Sequence, residues 1–279
     1  MTQQLTTLAQ LRSTIAAWRA AGDTIALVPT MGALHAGHLS LVAAAKAQCS
    51  RVITSIYVNP TQFGPNEDFN RYPRPIERDL AQLAEAGADA AWLPGTDIMY
   101  PAGFATTIHI QGITDELEGA FRPGHFDGVA TVVAKLLNQV APDIAFFGEK
   151  DYQQLCVIKR LVKDLDLNIS IIGVPTLRET DGLAMSSRNQ YLSGEERQKA
   201  ANLHRVLQET ASLIRAGHAP HILLREAEKE LDGIFLRVDY IDLRNADTFQ
   251  VQSSYQPPAR LLAAAWLGTT RLIDNIPLE

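Results

Sequence analysis

Short apolar runs alternate with amphipathic stretches through the first 175 residues of the chain. The runs have the length and composition of strands buried on both faces, whereas the stretches between them repeat apolar residues at helical spacing. This alternation predicts a parallel sheet with crossover helices, an α/β domain. Predicted strands cover residues 24–28, 51–58, 90–93, 144–147 and 169–174, and predicted helices cover residues 37–48, 76–86, 128–140 and 152–165. A further helix is predicted from the apolar spacing between Leu8 and Trp18, with Gly22 as its stop signal.

The pattern changes after Pro175, where we place a domain boundary. Two helical stretches then precede two strand-like segments, at residues 194–216, 222–231, 238–243 and 260–273. This order is typical of a separate α+β unit. We therefore expect a parallel-sheet domain over residues 1–175 and a smaller α+β domain over residues 176–279.

A long polar segment, residues 59–75, contains prolines and a glycine and follows a predicted strand. Loops of about 15 residues inside a compact domain are usually functional. We expect this segment to be a lid, and it carries Gln62, Asn66, Arg71 and Tyr72.

The composition is that of a globular protein, with 279 residues, 46% of them hydrophobic and 20% charged. The net charge of −6 disfavours a nucleic-acid partner, because such proteins usually carry a basic excess. Cys49 and Cys156 are too few for a disulfide framework, and no apolar leader precedes the first polar residues, so we expect a cytoplasmic protein. No apolar run reaches the roughly 18 residues that would suggest a membrane span.

The strongest local signal is the segment Pro29–His38, which reads PTMGALHAGH and joins a predicted strand to a predicted helix. The N-terminus of a helix presents unpaired N–H groups and partial positive charge, so phosphate is its natural ligand. Gly32 and Gly37 have the spacing of a P-loop, but His38 stands where that motif has lysine. The glycine spacing does not fit the dinucleotide-binding fingerprint either.

His35 and His38 lie three residues apart, so on a first helical turn they share a face and can donate to one phosphate chain. Histidines near a turn can instead be capping or surface residues. A zinc site is a third interpretation, although it lacks a nearby carboxylate or cysteine ligand.

Two further clusters could serve a phosphate-containing ligand. Ser186, Ser187 and Arg188 offer two hydroxyls and a guanidinium, although such a triplet is also common in solvated turns. Gly148–Asp151 follows the predicted strand 144–147, so Lys150 could neutralise phosphate while Asp151 serves the nucleotide or a metal ion, or caps the next helix. The segment Arg122–Phe126 is a rigid loop with one cation and one imidazole, and it only supports the other motifs.

These motifs together resemble a known family. Pro29–His38 is similar to the HxGH signature of the nucleotidyltransferase superfamily, and Met185–Arg188 occupies the place of its partner loop. The combination with Tyr57–Phe63, Arg122–Phe126, Phe147–Asp151 and the residues up to Asn189 resembles the pantothenate synthetase (pantoate–β-alanine ligase) family, and Leu261–Asn275 resembles the C-terminal end of that family.

The resemblance implies a Rossmann-like N-terminal domain, a small C-terminal domain that closes over ATP, and a homodimer. It also implies the reaction, in which pantoate attacks the α-phosphorus of ATP to give pantoyl adenylate and pyrophosphate, and β-alanine then displaces AMP to form pantothenate. Mg²⁺ should accompany ATP, although the sequence does not indicate which residues would bind the ion. No tightly bound organic cofactor is expected.

The resemblance also implies roles for individual residues. His38 is the expected proton donor, His35 acts beside it on the phosphates, and Lys150 completes the catalytic group. Gln62 and Gln154 are expected to hold pantoate, with Gln62 also near β-alanine. The residues expected to bind ATP are Met31, Gly32, Ala33, Leu34, His35, Ala36, Gly37, His38, Gly148, Glu149, Lys150, Asp151, Leu177, Met185, Ser186, Ser187 and Arg188.

Other functions stay open at this point. Another HxGH nucleotidyltransferase, acting on a phosphorylated metabolite, would share the nucleotide motif, although the amides Gln62 and Gln154 favour an unphosphorylated acid. A relative of aminoacyl-tRNA synthetases would need an RNA-binding surface, and a non-catalytic nucleotide sensor would have no need for two phosphate clusters.

Overall fold

The computed structural model describes residues 2–279 of the chain. The backbone is divided into two compact units. The first unit comprises the residues up to Glu149 together with Val157–Pro175, and the second comprises Lys150–Cys156 and Thr176–Glu279.

The first unit is built on a six-stranded parallel sheet with the spatial order β1-β4-β3-β2-β5-β6. Its strands are β1 (Gln3–Leu5), β2 (Ile25–Thr30), β3 (Arg51–Ile56), β4 (Ala90–Trp92), β5 (Ile144–Gly148) and β6 (Ser170–Val174). The helices between them are α1 (Leu8–Ala20), α2 (Ala36–Lys46), α3 (Ile76–Glu85), α4 (Thr96–Met99), α5 (Glu118–Phe121), α6 (His125–Val140) and α7 (Tyr152–Asp164), the last of which begins in the second unit.

The centre of this sheet is apolar because helices cover its faces. Ile25, Ala26, Leu27 and Val28 of β2 have no exposed surface. Strand β2 pairs along its whole length with β3, from Ile25 opposite Arg51 to Thr30 opposite Ile56. The near-continuous apolar runs of the sequence therefore belong to strands covered on both sides.

The strand order reverses next to β2. The chain passes from β2 outward to β3 and β4 and then returns to β5 on the other side of β2. In open α/β sheets, ligands bind beyond the carboxyl ends of the strands at such a reversal. The loops that follow β2, β3 and β5 leave the sheet at this edge.

The second unit contains a three-stranded antiparallel sheet in the order β7-β8-β9. Its elements are α8 (Gly194–Ala200), α9 (Asn202–Arg215), α10 (Pro220–Asp232), β7 (Arg237–Asn245), β8 (Ala259–Leu267) and β9 (Thr270–Leu278). Residues from all three helices and the sheet form one apolar core, among them Leu207, Leu231 and Leu261, each without exposed surface.

The predicted fold class is confirmed: an α/β parallel-sheet unit is combined with a smaller unit of helices and an antiparallel sheet. Three short elements escaped the sequence pattern, namely β1, α4 and α5, which have only three or four residues each. No helix among residues 2–279 has the length and apolar character needed to cross a membrane.

The single strand expected at residues 260–273 is wrong, because the segment folds into the hairpin β8–β9. The register pairs Leu267 with Thr270, so only Gly268 and Thr269 form the turn. Gly268 has a φ of +52°, a conformation that suits a two-residue hairpin and that glycine adopts readily. Apolar residues on both sides conceal this short turn in the sequence.

The single helix expected at residues 194–216 is also divided in two. A capping box of Ser193 and Glu196 begins α8, and the side-chain amide of Asn202 donates to the carbonyl of Lys199 over 2.9 Å. Asparagine side chains compete in this way with the regular backbone hydrogen bonds of a helix. The helix therefore stops at Ala200 and begins again at Asn202.

Candidate active site

A tight turn joins β2 to α2 at the carboxyl edge of the parallel sheet. Gly32 has a φ of +82° and Ala33 a φ of +50°. A Cβ on Gly32 would lie 3.0 Å from Oδ2 of Asp79 and 3.0 Å from a methyl group of Ile56. Both the conformation and the space at Gly32 therefore favour glycine.

Asp79 of α3 holds this turn in place. Its carboxylate has no exposed surface and accepts hydrogen bonds from the backbone N–H of Ala33 over 2.8 Å and of Leu34 over 2.9 Å. Hydrogen bonds to a carboxylate are stronger than those to a neutral acceptor. Asp79 was not singled out from the sequence, where its only signal is an acidic residue on the otherwise apolar side of a helix.

His35 and His38 form a capping box at the start of α2. Nδ1 of His35 accepts from the backbone N–H of Gly37 over 3.1 Å, and Nδ1 of His38 accepts from that of His35 over 3.3 Å. With Nδ1 as the acceptor, each neutral ring carries its proton on Nε2. The tautomer is thus set by hydrogen bonds from the backbone.

His35 is the N-cap, with extended backbone angles, so the expectation that both histidines lie on the first helical turn is wrong. The rings are nevertheless neighbours, with centroids 4.1 Å apart. Capping and phosphate binding are therefore compatible interpretations of this pair, because capping uses Nδ1 while Nε2 carries the proton. Among residues 2–279, no group of three or more His, Cys, Asp or Glu side chains is arranged to hold a metal ion.

Gln62 lies in a short 3-10 helix, Pro60–Gln62, after β3. Its Oε1 accepts from the side-chain amide of Asn59 over 3.0 Å, and its Nε2 donates to the sulfur of Met31 over 3.2 Å. The structure therefore brings together Met31 and Gln62, which the sequence assigned to ATP and to pantoate.

Asn59 was not singled out from the sequence, yet it is almost fully buried, with 1% of its surface exposed. Its Nδ2 donates to the carbonyl of Gly128 over 3.2 Å, and its Oδ1 accepts from the hydroxyl of Tyr100 over 2.7 Å. Burial raises the pKa of Tyr100, which keeps this hydroxyl protonated as a donor. The amide of Asn59 is thus oriented on both sides.

The remaining predicted residues belong to the second unit, apart from Gly148 at the end of β5 and Glu149, which begins a 3-10 helix. Lys150 and Asp151 close a 3-10 turn, with Nζ of Lys150 3.8 Å from Oδ1 of Asp151. The buried side chain of Asn275 donates to the carbonyl of Lys150 over 2.8 Å. Gln154 is half-buried one turn further along, in α7.

The segment Leu177–Arg188 forms a second loop cluster. The backbone N–H of Met185 donates to the carbonyl of Leu177 over 3.0 Å, and the hydroxyl of Ser186 caps a 3-10 helix by accepting from the N–H of Arg188 over 3.2 Å. The guanidinium of Arg178 binds both carboxylate oxygens of Asp274, over 2.7 and 2.9 Å. This ion pair, in which the carboxylate is buried, anchors the loop that carries the predicted phosphate donors, and no sequence pattern pointed to it.

A parallel sheet with a reversed strand order, followed at its carboxyl edge by a glycine turn and a histidine-capped helix, defines an α/β protein of the nucleotide-binding kind. Comparison with known proteins then makes the assignment specific. The pantoate-beta-alanine ligase family matches residues 3–277, and the chain belongs to that family. The resemblance stated from the motifs is thereby confirmed.

Similar proteins cover the whole length of the chain. The pantothenate synthetase of Moorella thermoacetica is 53% identical over 277 residues, which is 99% of this chain and 98% of that protein. A crystal structure of the pantothenate synthetase from Thermus thermophilus is 46% identical and covers 99% of both chains with a TM-score of 0.94. The pantoate-beta-alanine ligase of Francisella tularensis, solved with beta-gamma ATP and beta-alanine, is 35% identical and covers 99% of this chain and 98% of its own with a TM-score of 0.85.

Proposed function

We propose that this protein condenses (R)-pantoate with β-alanine to form pantothenate, with conversion of ATP to AMP and pyrophosphate. The observation that carries the proposal is the match to the pantoate-beta-alanine ligase family over nearly the whole chain. The complex of the Francisella tularensis relative with beta-gamma ATP and beta-alanine supports the choice of two of the substrates.

The proposed reaction has two steps. A carboxylate oxygen of pantoate attacks the α-phosphorus of ATP, which forms pantoyl adenylate and breaks the bond to pyrophosphate. The amino nitrogen of β-alanine then attacks the acyl carbon, AMP leaves with the electron pair of the broken C–O bond, and the new amide nitrogen loses its proton. Neither step requires a covalent bond to the protein.

The protein's part in the first step is to stabilise negative charge. Charge builds up on the α-phosphate and on the departing pyrophosphate, and donors already in position lower this barrier without reorganisation. We assign this role to Nε2–H of His38, with His35 beside it, and to the ammonium of Lys150. The backbone hydrogen bonds that hold Nδ1 of both histidines support the assignment, because they keep the proton on Nε2.

The nucleotide is proposed to lie against Met31–His38, Gly148–Asp151, Leu177 and Met185–Arg188. Mg²⁺ enters the site bound to the phosphates of ATP and is thus part of the substrate. Gln62 and Gln154 are proposed to hold pantoate, because amides pair with its hydroxyl and carboxylate groups without a fixed charge. The proposal also includes a homodimer and a cytoplasmic location, and light scattering on the purified protein tests the dimer.

Exchange of labelled pyrophosphate into ATP, measured without β-alanine, tests the function directly. Exchange that requires pantoate, followed by AMP and pantothenate formation when β-alanine is added, is the expected result. Exchange that instead requires a phosphorylated acceptor would replace the substrate assignment with that of another HxGH nucleotidyltransferase. Absence of exchange with either acceptor would favour the remaining hypothesis, a non-catalytic nucleotide sensor.

A further inference from the structure

The segment Arg122–Phe126 has no part in the proposed function so far. Its first three residues form the turn between α5 and α6, its last two begin α6, and Gly124 in its centre has a φ of +80°. The side chain of Arg122 is only 16% exposed, and 9% of the surface of His125 is exposed. A guanidinium and an imidazole are therefore held together inside the first unit.

Glu67, in the segment of residues 59–75, forms an ion pair with this guanidinium. Nε of Arg122 donates to Oε1 of Glu67 over 2.7 Å, and Nη2 donates to Oε2 over 2.6 Å. Such a two-pronged pair fixes orientation as well as distance. Burial raises the pKa of Glu67, but the hydrogen bonds and charge of Arg122 outweigh it, so that the pKa is lowered and the carboxylate stays ionised.

His125 connects this ion pair to the main chain of Gln62. Nη1 of Arg122 lies 3.0 Å from Nε2 of His125, and since a guanidinium can only donate, Nε2 accepts. The proton of the ring is therefore on Nδ1, which donates to the carbonyl of Gln62 over 2.8 Å. Nη2 of Arg122 approaches the same carbonyl at 3.4 Å.

The ring of His125 is neutral in this arrangement. Burial, and after it the positive charge of Arg122, lower its pKa to about 4, against weaker opposing effects of the Gln62 carbonyl and of the carboxylates of Glu118 and Glu67. A second proton on Nε2 would face the donating guanidinium, so the observed hydrogen bonds require the neutral form.

We propose that Glu67, Arg122 and His125 are positioning residues that hold the main chain of Gln62 and thereby aim its side-chain amide at the acid substrate. This inference rests on the proposed function, in which Gln62 binds pantoate. Two separate constraints then fix Gln62: the His125 and Arg122 contacts hold its carbonyl, and Asn59 holds its Oε1.

The test compares three substitutions and one control. Glu67→Gln removes the charge of the carboxylate and keeps its shape, His125→Leu removes the donor to Gln62, and His125→Asn places an amide N–H where Nδ1–H stood. The control is Asp164→Asn, which breaks the exposed pair of Arg160 and Asp164 on α7.

The first readout is hydrogen–deuterium exchange of the peptides covering residues 59–75 without substrates. Glu67→Gln and His125→Leu should exchange at least about tenfold faster there, because the loop opens locally more often. His125→Asn should stay closer to the unsubstituted protein, and Asp164→Asn should equal it. This measurement needs no turnover. It therefore tests whether Glu67 and His125 anchor residues 59–75 even if the proposed reaction is wrong.

The second readout is the KM for pantoate, measured beside the KM for ATP. Loss of one positioning contact should raise the pantoate KM by about tenfold and leave the ATP KM within about twofold, with partial rescue by His125→Asn. Unchanged exchange over residues 59–75, or equal rises in both KM values in variants that remain folded, would overturn the proposal.

Discussion

The side-chain amide of Asn59 donates a hydrogen bond to Oε1 of Gln62 over 3.0 Å. Because Asn59 is itself fixed by a tyrosine hydroxyl and a main-chain carbonyl, it decides which end of the Gln62 amide is oxygen and which is nitrogen. The Nε2 of Gln62 is thereby directed to the sulfur of Met31.

Replacement of Asn59 should therefore affect the acid substrate selectively. In Asn59→Asp, a carboxylate oxygen would face Oε1 of Gln62, and the amide would have to rotate. We expect the KM for pantoate to rise by at least about tenfold, the equivalent of one hydrogen bond lost or reversed, with the KM for ATP little changed. Steady-state kinetics with each substrate varied in turn measures this, and an effect confined to ATP would contradict it.

Gln62→Ala should raise the pantoate requirement while ATP binding stays largely intact. The substitution removes the amide but leaves the backbone carbonyl that His125 and Arg122 hold. Titration calorimetry with ATP and with pantoate separates the two effects. If affinity for ATP fell as far as affinity for pantoate, Gln62 would have to be assigned to a different part of the site.

His38→Ala should lower the rate of pantoate-dependent pyrophosphate exchange by about 10²-fold or more, as expected for loss of a transition-state donor. His38→Gln places an amide N–H near the position of Nε2 and should retain more activity than the alanine variant. An unchanged turnover rate in His38→Ala would show that the histidine is not required for the reaction.

Asp79→Asn should destabilise the protein, because the amide nitrogen that replaces one carboxylate oxygen would face a backbone N–H donor in a buried site, and the remaining oxygen would satisfy only the other donor. The unfolding free energy should fall by about 2–3 kcal/mol, the cost of leaving buried donors unpaired. Urea denaturation measures the change. Glu77→Gln, on the exposed face of the same helix, is the matched control, and an equal effect of both substitutions would refute the special role of the buried carboxylate.

His125 should make stability depend on pH below neutrality. Its pKa is about 4 in the folded protein and near 6.5 when unfolded, so between these values the unfolded chain binds the extra proton. The unfolding free energy should therefore decrease as the pH falls from about 6.5 to about 4, by up to about 3 kcal/mol from this residue. Urea denaturation at several pH values, compared with His125→Asn, isolates this contribution, since the variant should lack that part of the slope.

Much of the parallel-sheet unit could be predicted because the residues that determine its strands, turns and helix starts lie close together in sequence. The apolar run that ends at Thr30, the glycine at position 32 and the histidines at 35 and 38 lie within one short stretch of sequence. This stretch alone predicts where the strand ends, where the chain turns and where the helix begins. The hairpin turn at Gly268 was missed because only Gly268 and Thr269 separate two segments that both have the composition of a strand.

The contacts that support the site could not be predicted, because each joins residues that are far apart in sequence. Asp79 contacts Ala33 from 46 residues away, and Arg122 contacts Glu67 from 55 residues away. In the sequence, Asp79 reads as an ordinary charged residue of a helix, and Arg122 stands out only as the cation of a short motif with no partner indicated. Only the folded chain shows that Asp79 is buried and that Arg122 and Glu67, both half-buried, form an ion pair.

The link between Asp79 and the glycine turn also makes the turn depend on a segment that lies later in the chain. The two N–H groups of the turn find their acceptor on a helix that is synthesised later, and bringing such distant segments together costs chain entropy. The backbone N–H groups of Ala33 and Leu34 therefore have this buried acceptor only when α3 is packed in the folded unit. A nascent chain that stops before Ile76 contains both histidines but lacks the carboxylate that shapes the turn before them.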